Sequence, residues 1–285
     1  MVPLNLISVV RREFSGSAAD LADPRERADV RRYLTDLTQP SGDEAEPGAF
    51  EPGAFEHGQS YGEMAEPLVR ALVPPGETAD LLLLAFSVHD LRPGRATAAY
   101  LSSVCPGTPL SYAICDQGSA APFTGLRIIR SYLGTPGYRR ALLIVVEQAE
   151  LSYRTTGPMP RRHRAVAMLL DDDVPSGARR ARITGLVQHA AVPAQAVPDV
   201  AAVALAELSA EHSGERLALL SERAARLCPD LAVTRARVAA GGQPGTDVWW
   251  ELAGLLADPA TAHDLVVVAD YEASLHYVSL AALQC

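Results

Sequence analysis

The chain has 285 residues, 48% of them hydrophobic and 21% charged, enough to bury a large core as one big domain or two packed halves. Its net charge of −9 speaks against a general nucleic-acid binder, and no apolar run reaches the roughly 18–20 residues of a membrane span. All 25 basic residues are arginine, which excludes a lysine nucleophile or Schiff base.

The N-terminus, Met1 to Leu6, lacks the basic flank and cleavage site of a signal peptide, so a cytoplasmic protein is expected. Cys105, Cys115, Cys228 and Cys285 are spread without a C-x-x-C pair, which fits neither a zinc site nor a disulfide framework. No metal is expected. The adjacent Asp171, Asp172 and Asp173 read as a solvated turn, because neighbouring carboxylates do not converge on one ion unless the chain folds around it.

In chain order, a strand is expected over Leu4–Val10 and a charged helix over Asp20–Leu37. Residues 39–58 contain a direct repeat of Glu-Pro-Gly-Ala-Phe, and their proline and glycine density predicts a flexible loop. Ser60–Leu72 is an amphipathic helix with Met64, Leu68, Val69 and Leu72 on one side. A strand at 81–86, a polar loop and a strand at 111–114 follow. They lead to the corner Cys115-Asp116-Gln117-Gly118-Ser119-Ala120-Ala121-Pro122, a helix from Phe123 to Tyr132 and a strand at 141–146.

Beyond a polar stretch from Glu147 to Gly157, strands are expected at 164–170 and 182–189. Val192–Leu208 has helical character cut by Pro193 and Pro198. A strand at 216–220, a short helix at 222–227, a glycine turn at 241–245 and a helix at 248–256 come next. Two closing strands fall at 265–269 and 277–283. Short apolar runs alternating with helices indicate strands buried on both faces of a layered α/β protein.

A small polar residue between a strand end and a helix N-terminus is a common place for a nucleophile. The free N–H groups and dipole of the helix favour negative charge there. Ser119 occupies that place, although serine is also an ordinary N-cap and a hydroxyl needs a base to act as a nucleophile. The corner is no α/β-hydrolase elbow, since Gln117 and Ala121 stand where that motif needs glycines.

The run Ser111–Leu126 resembles the nucleophile region of 3-oxoacyl-(acyl-carrier-protein) synthase III and its thiolase-fold relatives. Those proteins show Asn-Gln-Gly-Cys-Ser-Gly-Phe after a strand, then a helix containing Gly-Leu. Here Asp116-Gln117-Gly118-Ser119-Ala120-Ala121 matches the motif and Gly125-Leu126 the helix, which puts Ser119 at the nucleophile position. The strand 141–147 is similar to the family's Leu-Val-Val-Gly-Ala-Glu. At the C-terminus, 267–280 is similar to its final strand pair, but Glu272 and Ser274 replace the two glycines of the active-site turn. The family's catalytic His and Asn are also missing: Ser221-Glu222-Arg223-Ala224 and Gly242-Gln243-Pro244-Gly245 stand at those places.

The resemblance implies a thiolase-like αβαβα layered fold of two pseudo-repeated halves, 1–172 and an abbreviated 173–285, associating as a dimer. It implies a ketosynthase III-like acyltransferase of polyketide or other secondary metabolism. An acyl group from an acyl carrier protein or coenzyme A would rest on Ser119 and move on without decarboxylative condensation. Coenzyme A or phosphopantetheine is then a substrate arm, and no cofactor is expected. Within that scheme His276 is the first choice of base, ahead of His212 and His89. Gln117, Gly118 and Ser274 are the substrate-binding residues. Arg127, Arg130, Arg139 and Arg140 form a docking patch for an acidic carrier protein. The alternative is a non-catalytic partner, similar to a chain-length factor, that completes a heterodimer with an active ketosynthase-like subunit.

Overall fold

A computed structural model describes residues 4–16, 23–38, 58–92, 94–150, 159–173, 181–231, 233–258 and 263–285. The glycine- and proline-rich repeat expected to be a flexible loop lies at 39–57, outside the described residues, with only Gly58 inside them.

Ten strands line up in the order β3-β2-β4-β5-β1-β6-β10-β9-β7-β8. The first five are β1 (Leu4–Phe14), β2 (Leu81–Ala85), β3 (Leu110–Ile114), β4 (Arg140–Glu147) and β5 (His163–Asp171). The second five are β6 (Ala181–His189), β7 (Arg216–Leu220), β8 (Arg235–Val238), β9 (Leu265–Glu272) and β10 (Tyr277–Gln284). The order is a palindrome, with each strand of the first five matched by one of the second. Directions match too: β2 runs parallel to β3 and β4, as β7 does to β8 and β9, while β5 and β10 close each set antiparallel. The halves join where Leu4–Leu6 of β1 pair with Ala181–Ile183 of β6.

Helices fill three layers. On the outer face of the first half lie α2 (Tyr61–Leu72) and α3 (Thr97–Val104), packed on Leu82, Leu84 and Leu142. Between the halves lie α4 (Ala121–Tyr132) and α7 (Asp247–Ala257), packed on Leu83, Leu143, Leu219 and Val268 and joined by Phe123 against Trp249, ring centroids 4.9 Å apart. On the outer face of the second half lie α5 (Val197–Ser209) and α6 (Glu222–Leu227), against Ala218, Leu220 and Val267. A charged helix, α1 (Pro24–Thr38), follows β1. The layering is αβαβα. Every residue of β2 is buried because alternate leucines serve opposite layers, and that is why such strands read as unbroken apolar runs.

Three expectations shift. The polar loop after β2 contains α3, whose eight residues bury only Thr97, Leu101 and Ser102. The helix expected from Val192 begins at Val197, because Pro198 fits the first turn and no later position. An unexpected strand, β8, lies at the far edge with all four residues exposed. The opposite edge is β3, where Leu110 and Tyr112 are the exposed large side chains, 40% and 36% accessible.

Candidate functional site

The sequence turns from β3 into α4 through Asp116, whose φ is 59°, and Gly118, at 53°. Both lie in the left-handed region, which glycine adopts freely and Asp tolerates. A one-turn 3-10 helix, Gly118–Ala120, then carries Ser119 to the mouth of α4, where Pro122 sits in the first turn. Ser119 is buried, 5% accessible.

Two carboxylates meet it, both from the end of β9. The Ser119 backbone N–H donates to Glu272 Oε2 at 2.9 Å, and its hydroxyl lies 3.1 Å from the same oxygen. The hydroxyl also hydrogen-bonds Asp270 Oδ2. The Ser221 side chain, at the first turn after β7, hydrogen-bonds Asp270 as well. Asp270 and Glu272 are two apart on a strand and so share a face, while Tyr271 between them faces the outer layer. Burial pushes the Asp270 carboxyl above the usual range. Burial acts the same way on Glu272, but hydrogen bonds from Ser274 and Ser119 outweigh it and hold its carboxyl low.

The other expected site residues divide. Gly118 and Ser274 belong to the corner. A side chain on Gly118 would put its Cβ 2.1 Å from Glu272 Oε2, and Ser274 donates its N–H (3.0 Å) and hydroxyl (2.7 Å) to Glu272 Oε1. Gln117 accepts from the Thr124 hydroxyl at 2.6 Å. His276, the expected base, is not at Ser119: its Nδ1 lies 3.1 Å from the Tyr271 hydroxyl, on the other face of β9. The reason is the strand alternation that turns Tyr271 outward. His212 precedes the start of β7 and so lies at the opposite end of that strand from Ser221.

The arginine patch is likewise dispersed. Arg139 and Arg140 stand where β4 begins, the end of the sheet opposite Ser119, in ion pairs with Asp172 and Asp171. Arg127 donates to Gln188 at 3.2 Å, and Arg130 is half-buried on α4, where burial lowers its pKa. Among the described residues no cluster of His, Cys, Asp and Glu could hold a metal ion, and no helix is long and apolar enough to cross a membrane.

Sequence reasoning missed Asp270, although an Asp-x-Glu pair ending a buried strand was its signal. It also missed a second carboxylate site on the palindromic partner strand. Glu147 ends β4 as Glu272 ends β9 and caps α7 as Glu272 caps α4. It accepts from the N–H groups of Gly245 (2.6 Å) and Thr246 (2.9 Å), from the Thr246 hydroxyl and from Gln243 Nε2 (3.3 Å). Gly118-Ser119 and Gly245-Thr246 are thus equivalent corners, each receiving a glutamate from the other half. Burial pushes the Glu147 carboxyl up to about 7 and that of neighbouring Asp247 up to about 6. Gln243, at the family's Asn turn, is spent on structure: its Oε1 accepts the N–H groups of Arg161 and Arg162 at 2.8 and 2.7 Å.

No family model matches the chain, and no curated protein matches it. Solved structures do. AbyA1, described as a tetronic acid condensing enzyme, superposes with a TM-score of 0.66 at 16% identity, over 99% of this chain and 100% of that one. OleA from Xanthomonas campestris gives 0.64 at 12% identity, over 99% of this chain and 98% of that one. A Cys-to-Ser variant of OleA with bound lauric acid and lauroyl-CoA gives 0.62 at 13%, over 99% of both chains. The layering, the palindromic strand order and these likenesses together make the fold of this chain the thiolase fold.

Proposed function

We propose that this chain is a non-catalytic ketosynthase-like subunit that completes a heterodimer with an active condensing subunit of secondary metabolism. One observation carries the reading: the Ser119 N–H, the donor an acyl oxyanion would need at this corner, is held by the chain's own Glu272 carboxylate. A second negative group cannot take that place while Glu272 holds it. The corner is capped by a glutamate of the other half, as its counterpart at Thr246 is.

The partner would add to β3. That edge offers Leu110, Ser111, Tyr112, Ala113 and Ile114, with no charge and no proline to block pairing. Tyr112 also stacks near Tyr132, with their hydroxyls 2.7 Å apart, which gives the edge a firm aromatic surface.

Co-expressed with a thiolase-fold condensing subunit, the chain is expected to co-purify at equal stoichiometry, and Tyr112→Arg to release it. Incubated with acyl-coenzyme A and acyl-carrier thioesters, it is expected to gain no acyl mass in intact-protein spectrometry. An acyl adduct that disappears in Ser119→Ala would overturn the reading.

The contact between Asp270 and the Ser119 hydroxyl favours a second reading, acyl transfer. With Asp270 as base, Ser119 would take an acyl group from a carrier protein or coenzyme A and pass it to an oxygen, a nitrogen or a carrier thiol. It requires Glu272 to leave the corner first, and the same adduct experiment decides it.

A further inference from the structure

We infer that Asp270 and Glu272 share a single titratable proton through the Ser119 hydroxyl, and that this proton latches the β9–β10 turn over the mouth of α4. The inference rests on the proposed function only in taking the corner as closed; it needs neither a partner subunit nor the absence of acylation.

A serine hydroxyl has one proton to give, yet that of Ser119 lies against both Asp270 Oδ2 and Glu272 Oε2. Glu272 is surrounded by donors: the N–H groups of Ser119 and Ser274 and the Ser274 hydroxyl. Those contacts favour its ionised form. Asp270 is as buried as Glu272 but, with the Ser119 hydroxyl turned to Glu272, keeps fewer donors, the Ser221 hydroxyl among them, and has the negative Glu272 beside it. Among the described residues neither carboxylate has an arginine or histidine partner.

Two ionised carboxylates around one hydroxyl repel each other, and a single proton resolves the conflict. The Asp270 carboxyl donates to Ser119 Oγ, and the Ser119 hydroxyl donates to Glu272. Each of the three groups then has a partner. Burial acts on Asp270 in the same direction.

The surrounding titratable groups leave this set alone. Cys115 and Asp116 approach the corner from β3, with Asp116 on the Cys115 thiol. Arg127 on α4 is engaged by Gln188 of β6. Glu222 of α6 lies against Gly241, and Asp247 of α7 takes the Gln243 N–H. His189 pairs through its backbone with Val278, and His276 turns to Tyr271. The α5 face of β9 is apolar apart from the Tyr271 hydroxyl.

Loss of the shared proton as pH rises would drive Glu272 off the Ser119 N–H. Ser274 and the turn would move with it, and the helix mouth would open. The test combines infrared spectroscopy in heavy water with hydrogen exchange on the full chain. Above the ordinary carboxyl range, a protonated-carboxyl band is expected that Asp270→Asn removes and Glu147→Gln leaves in place. As pH rises further, that band should fade, and exchange across the segment holding Ser119, corrected for its intrinsic pH dependence, should speed by an order of magnitude at the same pH.

A spectrum unchanged by Asp270→Asn would overturn the inference. If that variant does not fold, the wild-type titration alone decides: exchange that does not change with the band sinks the latch. An acyl adduct on Ser119 would sink the proposed function and leave this measurement standing.

Discussion

The two helix mouths at the centre of the molecule are built alike and loaded differently. At each, a glycine and a hydroxyl residue receive a glutamate that ends a strand of the other half: Glu272 onto Ser119, Glu147 onto Thr246. The Thr246 mouth surrounds its carboxylate with four donors and adds the side chain of Gln243 to the β5 approach. The Ser119 mouth also gives its carboxylate four donors, two of them from the Ser274 turn, but adds a second acid, Asp270, where the equivalent position of β4 is the apolar Val145. The same cap therefore serves as an anchor in one half and as a plug in the other. Duplicated folds diverge here by what stands beside the cap.

Removing the anchor should have the largest effect. Glu147→Ala leaves the Gly245 and Thr246 donors and the Gln243 amide buried without an acceptor, and a loss of about 3–4 kcal/mol is expected in denaturant unfolding. A loss no larger than that of Glu272→Ala would break the distinction between anchor and plug.

Next comes pH. The folded Glu147 carboxyl sits near 7, above its ordinary value of 4.5. A folded pKa raised in this way means the folded state holds the proton longer. The associated stability is fully present below about pH 4.5 and falls as pH rises through 7, by on the order of 3 kcal/mol. Glu147→Gln should flatten that slope between these pH values in a series of melts, and an unchanged slope would assign it elsewhere, with Asp247 the next group to vary.

Glu272→Ala should cost less, about 1–2 kcal/mol, because the Ser119 N–H it frees lies at an end that water can reach once the side chain is gone. Ser119→Ala should cost least, about 1 kcal/mol, since Glu272 keeps its other donors. Unfolding curves of the two, measured side by side, sharpen the comparison: a Ser119 variant that falls further than the Glu272 variant would make the hydroxyl, not the carboxylate, the keystone of that mouth.

Much of the layered fold was legible because β2, β4, β5 and β9 are buried on both faces and so declare themselves as apolar runs. β8 was not, since Arg235, Ala236, Arg237 and Val238 are all exposed and carry no burial pattern to read. α3 escaped because a short helix that buries three side chains has almost no periodicity. At the corner, Ser119 and the replaced glycines were visible as departures from a motif. That Asp270 would meet Ser119 depends on pairing residues 151 positions apart, which only the sheet order supplies.

The two edges of the sheet carry one last consequence. β3 ends it with uncharged side chains, whereas β8 ends it with two arginines in four residues, one paired to Glu251. Charge of that kind discourages another strand from adding. The sheet is thus open to strand addition at one end and guarded by charge at the other. Strand addition at β3 could therefore not be continued from β8, the strand at the far end of the order.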